Sequence, residues 1–346
     1  MHGIFARCLA MAIMGLSLGM AAPAAAQAPR ANGETILIHH FKGSVGNMHA
    51  FVAARKGFCE KYNFHCELVS IPSALTAVQA VVGGSLDIAQ GGIEMTASAI
   101  NAGSDLVIAG VSLPRAVLFV AARSDVPLPH RAQGYPAVMG DLKGRTVGVP
   151  ARGAAGEVYL DVMLKDAGVD PKDVTVIGVG GPQTAYTSMV VGRQIDAAVT
   201  FSPAAELCAA TKACDIIVDM RKGEGPQLFR DEAASGVMFV TRREFADGNP
   251  KLMAAYYAAM RDAAAWMQDP KNLDELVSLY KSSLTVKGVP NPDQLVHDWI
   301  ANSVSKYSSD LHVNREGIKT AIDFAVAHKM LDKPVDVSRI VWDKAP

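Results

Sequence analysis

A ten-residue segment near position 85 returns about 110 residues later, and that spacing confines the chain to a fold built from two similar halves. The first copy is Val81-Val82-Gly83-Gly84-Ser85-Leu86-Asp87-Ile88-Ala89-Gln90 and the second Val190-Val191-Gly192-Arg193-Gln194-Ile195-Asp196-Ala197-Ala198-Val199, with Val-Val-Gly and the later Asp and Ala in common. Upstream of each, a strand-like run breaks into a turn of the form basic-Gly-x-x-Gly. These turns are Lys42-Gly43-Ser44-Val45-Gly46 after 35–40, and Arg152-Gly153-Ala154-Ala155-Gly156 after 146–149. Both read as openings of helices. Two α/β halves that aim such turns at one place predict a two-lobed binder with a cleft between its lobes.

Strand-like runs at 36–40, 67–71 and 86–90 alternate with helix-period segments at 50–56, 76–82 and 95–101, the pattern of βαβ units on a mostly parallel sheet. Two more strands are expected at 105–112 and 116–122. Periodicity then fails over 124–140, which reads as a surface loop beside a lobe crossing. Strands resume at 146–149, 174–179, 195–200 and 216–219, and 236–241 carries the chain back. Beyond it Asn249-Pro250, Asn291-Pro292 and Asn314 open helices. The three Trp (Trp266, Trp299, Trp342) fall in this tail and read as helix-packing core. One lobe is drawn as 34–119 with 239–346, the other as 120–238, with hinge strands near Val120 and Val237.

The first 26 residues have the form of a removed export signal: Arg7, an apolar run over 9–20 too short to span a bilayer, then Ala24-Ala25-Ala26. Removing Arg7, the only charge in that segment, takes the formal net charge from -1 to -2. A nearly neutral chain without basic clusters argues against nucleic acid or an acidic membrane surface as partner. The mature protein is expected to be periplasmic and monomeric. Its four remaining cysteines form two tight pairs, Cys59 with Cys66 and Cys208 with Cys214. In an exported chain these invite two disulfides, each stabilising by roughly 2–3 kcal/mol, against the plainer reading of four separate thiols. Neither pair has the spacing of a zinc site.

In open α/β sheets, ligands sit beyond the carboxyl ends of the strands and against helix N-termini. The turns at 41–46, 90–93, 152–156 and 200–203 qualify. Lys42 and Arg152 hold matching places in the two halves, and Arg115 stands near the first crossing; each is a candidate cation, or else a solvated surface charge. No cofactor is indicated: 153–156 lacks the Gly-Lys-Ser/Thr of a phosphate loop and 178–182 misses the dinucleotide pattern. No catalytic set or metal set stands out. His40 with Glu157 is the one titratable pair available to an enzyme, and a satisfied structural role fits His39 and His40 as well. Glu94 and Glu157 sit in first helical turns, where the helix dipole alone accounts for a carboxylate. A carboxylate facing the cleft would suit an ammonium on the ligand, and Glu157 is kept for that role.

Read together, the ordered series Ala53-Ala54-Arg55-Lys56-Gly57-Phe58, Gly84-Ser85-Leu86-Asp87-Ile88-Ala89, Asp141-Leu142-Lys143-Gly144-Arg145-Thr146-Val147-Gly148-Val149 and Gly192-Arg193-Gln194-Ile195-Asp196-Ala197 resembles the solute-binding proteins of ABC importers in the nitrate, sulfonate and taurine group, which includes binders of the thiamine pyrimidine. The resemblance covers roughly residues 34–280. It implies a two-lobed type II periplasmic binding-protein fold with two hinge crossings, and delivery of a small ligand to a membrane permease. Carried onto this sequence, the ligand-contacting turns fall on Phe41 and Ser44, Ser73, Gly91 and Gly92, Arg152, Gly153 and Ala154, and Phe201, Ser202 and Pro203. The expected ligand is a small organic anion, a sulfonate or carboxylate, with Phe41 and Phe201 covering its apolar part. The alternatives are an enzyme on the same fold, such as a dehydratase or a pyrimidine-synthesising relative, and a sensor subunit.

Overall fold

Short apolar runs rich in Val, Ile and Ala become the ten strands of two sheets in the computed structural model, which describes residues 28–41, 44–230, 235–281, 284, 289 and 291–346. The expected export signal and the Lys42-Gly43 part of the first turn lie outside the described residues. Strand β1 (Thr35–His40) leads through α1 (Met48–Arg55) and α2 (Phe58–Lys61) to β2 (His65–Ser70), then α3 (Ala74–Val82), β3 (Ile88–Gly91), α4 (Ile93–Asn101) and β4 (Leu106–Leu113). Residues 114–118 cross to the second sheet. There follow β5 (Phe119–Arg123), β6 (Thr146–Val149), α5 (Ala155–Asp166), β7 (Thr175–Gly178), α6 (Pro182–Tyr186), β8 (Ala197–Thr200), α7 (Ala204–Thr211) and β9 (Cys214–Val218). A second crossing, described over 219–230 and 235–236, returns the chain to β10 (Val237–Arg242), followed by α8 (Arg243–Gly248), α9 (Pro250–Gln268), α10 (Leu273–Lys281), α11 (Pro292–Val304), α12 (Arg315–Ala327) and α13 (Val337–Ile340).

The sheet orders are β2-β1-β3-β10-β4 and β7-β6-β8-β5-β9. In each, four strands share one direction and the fourth in order runs against them: β10 is antiparallel to β3 and β4, and β5 to β8 and β9. That reversed strand is the one that has just arrived from the other sheet. The fold is therefore α/β with two mixed sheets flanked by helices, joined by two crossings. One expectation fails locally. Over 124–140 the chain makes short 3-10 turns rather than a plain surface loop, and Val138 and Met139 are fully buried in the cluster that holds Leu160 and Met163 of α5. Their apolar side chains are taken under the helix that the loop precedes.

The repeated Asp has the same task in both halves. Asp87 accepts a hydrogen bond from the Leu37 N–H of β1 (2.9 Å), and Asp196 accepts one from the Thr146 N–H of β6 (3.0 Å). The last residue of each reversed strand completes the arrangement. Arg242 at the end of β10 reaches Asp87 (3.3 Å) and the carbonyls of Leu86 and Val81, while Arg123 at the end of β5 reaches Asp196 (3.4 Å) and the carbonyls of Ile195 and Met189. The Val-Val-Gly segment before each Asp ends the helix and turns the chain so that these carbonyls face the guanidinium.

The helices after β10 pack as the Trp pattern predicts. Trp299 is fully buried, Trp342 donates to Asp247 (2.8 Å), and Trp266 lies under the ammonium of Lys56. These helices do not stay on one sheet: α12 touches α4 and the turn at 227–229, and α11 touches α7. Both cysteine pairs are bonded, Cys59–Cys66 tying α2 to β2 and Cys208–Cys214 tying α7 to β9, with Cα separations of 5.9 and 4.8 Å.

Because each Asp is partly buried beside a guanidinium and a backbone N–H, its removal leaves donors without acceptors. Asp87→Ala and Asp196→Ala are each expected to lower stability in urea titrations by about 2 kcal/mol or more. Asp323→Ala, which breaks an exposed pair with Lys319 on α12, is expected to cost less than about 0.5 kcal/mol.

Candidate functional site

The carboxyl ends of β1, β2 and β3 face those of β6, β7 and β8 across a cavity of about 750 Å³, walled also by both crossings and by the segment after α11. A volume of that size suits an organic molecule rather than a single inorganic ion. Its walls are largely apolar: Phe41, Leu75, Met95, Phe201, Phe229 and Tyr307 all reach it. Phe41 is held by its own turn, its ring tilted at 53° against His39 with centroids 4.1 Å apart and lying over Gly46, where a Cβ would come within 2.7 Å of the ring.

Among the residues expected from sequence, Phe41, Ser44, Ser73, Gly91, Gly92, Arg115, Ala154, Phe201 and Ser202 line this cavity together. Arg152 and Gly153 do not. The Arg152 guanidinium is engaged by Glu157 (2.8–3.0 Å) and by the Val176 carbonyl of β7 (2.6 Å), and Glu157 also accepts from the Gly153 N–H (2.6 Å). The two charges satisfy each other over five residues, so neither is presented to a ligand. The His40–Glu157 pair is likewise not assembled in the cavity: neither residue lines it, and His40 is stacked on Phe51 (5.4 Å).

Several cavity residues carry no clear signal in the sequence. Arg221, in the second crossing, is held by Asp219 through two hydrogen bonds (2.7 and 2.9 Å) and stands 4.5 Å over the Phe119 ring. Burial pushes the Asp219 carboxyl up, yet the Arg221 bonds hold it below the usual range. Lys306, beyond α11, also lines the cavity, close enough to this group to feel its charges. Burial and then the Arg221 charge lower its pKa, while Glu206 and Asp219 oppose them. The pattern Asp219-x-Arg221 is a faint local pointer to the first; for Lys306 there is none.

The helix starts differ in a way that matters for charge. Helices α4, α5 and α7 each carry a Glu in the first turn (Glu94, Glu157, Glu206), and each carboxylate serves its own helix end. Glu94 folds back so far that a Cβ on Gly92 would fall 2.3 Å from its Oε1. Glu206 accepts from Ser202 (3.1 Å), and burial raises its carboxyl. Helices α1, α3 and α6 begin beside the cavity without an acid, and of these α3 is capped by the Ser73 hydroxyl, which accepts from the Thr76 N–H (3.1 Å). An anionic group on a ligand therefore meets a helix start without a competing carboxylate at Ser73. Among the described residues no group of three or more His, Cys, Asp or Glu is placed to hold a metal ion.

Behind the cavity floor a buried polar chain fixes the side chain of Gln90. Its Nε2 donates to Ser112 (2.7 Å), whose hydroxyl contacts His49 Nδ1 (3.4 Å), and His49 Nε2 donates to the Ser308 carbonyl (2.7 Å). His39 Nε2 similarly donates to the Ile71 carbonyl (3.0 Å), and its Nδ1 accepts from the Gln90 N–H (3.4 Å). Both His are fully buried, and burial pushes their pKa down to about 4. The unfolded chain therefore binds protons that the fold refuses. That penalty is absent above the ordinary pKa near 6.5, grows as pH falls, and levels off below pH 4. Urea titrations are expected to show a loss of roughly 2 kcal/mol per His between pH 7.5 and pH 5, with His49→Gln removing about half of the pH dependence.

A family model described as the NMT1-like family matches residues 41–281. A search of curated protein sequences returns no match. Among solved structures, the alkanesulfonate-binding protein SsuA from Xanthomonas axonopodis pv. citri bound to MOPS is similar with a TM-score of 0.69 at 18% identity, covering 90% of this chain and 99% of that one. The periplasmic nitrate-binding protein NrtA from Synechocystis PCC 6803 gives 0.65 at 15% identity over 88% and 84%. A DSZB mutant in complex with biphenyl-2-sulfinic acid gives 0.59 at 15% identity over 90% and 97%. At these identities the likeness is one of fold.

Proposed function

The chain belongs to the NMT1-like family, and from that premise we propose that it is the extracytoplasmic solute-binding component of an ABC importer, capturing a small organic acid of the sulfonate or carboxylate class between its lobes. The observation that carries this reading is the cavity itself, walled by the strand ends of both sheets and by both crossings. A site made in that way opens and closes with rotation about the crossings, and a ligand touching both walls favours the closed form. In this reading the lobes are 34–119 with 239–346 and 120–238, the hinge strands lie near Val120 and Val237, the first 26 residues are an export signal, and a membrane permease receives the ligand from a monomer.

The same fold in sulfonate- and nitrate-binding proteins supports the anion class. Within this cavity, Lys306 and the Ser73 start of α3 supply the acid's surroundings, and Phe41 and Phe201 cover an apolar body. Arg152 has no part in it, being committed to Glu157. In this reading the cavity binds its ligand and releases it unchanged; His40 and Glu157, the pair open to an enzyme, do not line it.

The test is a thermal-shift screen of mature protein unfolded and refolded to strip carried-over ligand, against nitrate, taurine, larger alkyl- and arylsulfonates, aryl carboxylates and neutral pyrimidines. A ligand at about a thousand times its dissociation constant adds roughly 4 kcal/mol. Larger acids with apolar bodies are expected to raise the midpoint more than taurine or nitrate, and Lys306→Ala to weaken the best of them about tenfold. Midpoint shifts with neutral compounds alone would sink the organic-acid reading.

A further inference from the structure

Of the three first-turn acids, Glu94 alone lines the cavity. The surrounding protein encloses it, leaving only partial access. Its companions there do not neutralise it. Among the described residues it forms no ion pair, and its carboxylate is served by its own backbone N–H. Arg221 is already bound to Asp219, and the other titratable groups lining the cavity are Tyr159 on α5, Arg115 on the first crossing, and Lys306 and Tyr307 beyond α11. Tyr159 feels the Glu94 charge from the opposite wall, which adds to burial in raising the pKa of its hydroxyl. The adjacent wall residues Met95 and Leu118 offer a carboxylate nothing.

A buried acid with one backbone donor is costly unless something enters to meet it. Its seat lies over Gly92, which leaves the space the carboxylate occupies; a Cβ there would push the carboxylate aside. Glu157, at the matching place on α5, shows the alternative, an acid paired at once with an Arg from its own turn.

Resting on the solute-binding reading above, we propose that Glu94 is a specificity-determining residue of the cavity and that the ligand carries, besides its acid group, a protonated amine or an N–H donor that Glu94 receives. The ligand class is then an amino-substituted organic acid with an apolar body, oriented acid toward Lys306 and Ser73 and nitrogen toward Glu94. Such a residue discriminates strongly, because a ligand without the donor leaves a buried acceptor unmet.

Two measurements on Glu94→Gln test this. In refolded, ligand-free protein at pH 7.5, removing a largely enclosed charge that has one backbone donor and no ion-pair partner among the described residues is expected to raise the thermal midpoint by about 2 °C or more. The gain should shrink toward pH 5, as the wild-type carboxyl, raised by burial, takes up its proton; the His contributions are common to both proteins and cancel. A midpoint equal to or below that of wild type would mean that the helix end fully compensates the Glu94 charge, and would overturn the proposal. Titration calorimetry with 4-(aminomethyl)benzoate, 4-methylbenzoate and benzylamine then separates this proposal from the one it rests on. Tighter binding of the aminomethyl acid than of its methyl analogue, by tenfold or more and lost in Glu94→Gln, is expected. Equal binding of the two acids would overturn the role of Glu94 and leave the organic-acid reading standing; binding of benzylamine alone would do the reverse.

Discussion

Each sheet contains a strand that entered from the other, and the contact between that strand's terminal Arg and an Asp in the repeated segment holds the two halves in register. Arg242 with Asp87 and Arg123 with Asp196 lie at the ends of β10 and β5 farthest from the crossings. Because each guanidinium also binds carbonyls at the end of the preceding helix, the clamp fixes three things at once: the central strand, the helix and the visiting strand. The near ends of β10 and β5 are left to the crossings, which line the cavity. Rigidity is thus concentrated away from the site and freedom beside it, which is the distribution a closing cleft needs.

Inside the cleft, charge is arranged by helix starts rather than by a ring of cations. Three of the five longer helices that begin there, α4, α5 and α7, carry their own acids, so several of the positive ends that would attract an anion are occupied from within, while α1 and α3 are not. Glu157 is balanced locally by Arg152, while Glu206 has Arg221 and Lys306 nearby and a bond from Ser202 on one oxygen but leaves Oε2 buried without a hydrogen bond. The electrostatic asymmetry of the cavity follows from which helix starts lack an acid and from Glu94 being the first-turn acid, of these three, that lines it.

Much of the fold is legible in the residues because its signals are local. Period-two and period-3.6 patterns locate all ten strands to within about three residues, and the Val-Val-Gly…Asp repeat is the doubling of the fold written into the chain. The turns that reach the cavity are legible for the same reason: Phe41, Ser73, Gly91, Gly92 and Phe201 follow strand ends, and strand ends point one way. Arg152 misleads because a long side chain five residues from a Glu has a nearer partner than any ligand. Glu94 and Glu157 look alike in sequence, since each is a first-turn acid after a Gly-containing turn and only the presence of Arg152 distinguishes them. Arg221 and Lys306 come from segments without periodicity, where residue order says nothing about direction.

The clamp has a consequence for the order in which the chain can be assembled. The second sheet and its clamp are complete within residues 119–218, whereas the first needs β10, whose last residue is Arg242. While the chain emerges from its N-terminus, β3 and β4 border an empty slot and Asp87 awaits an Arg about 155 residues away. The half that begins first is therefore the half that finishes last, holding two unpaired strand edges open until the other has closed.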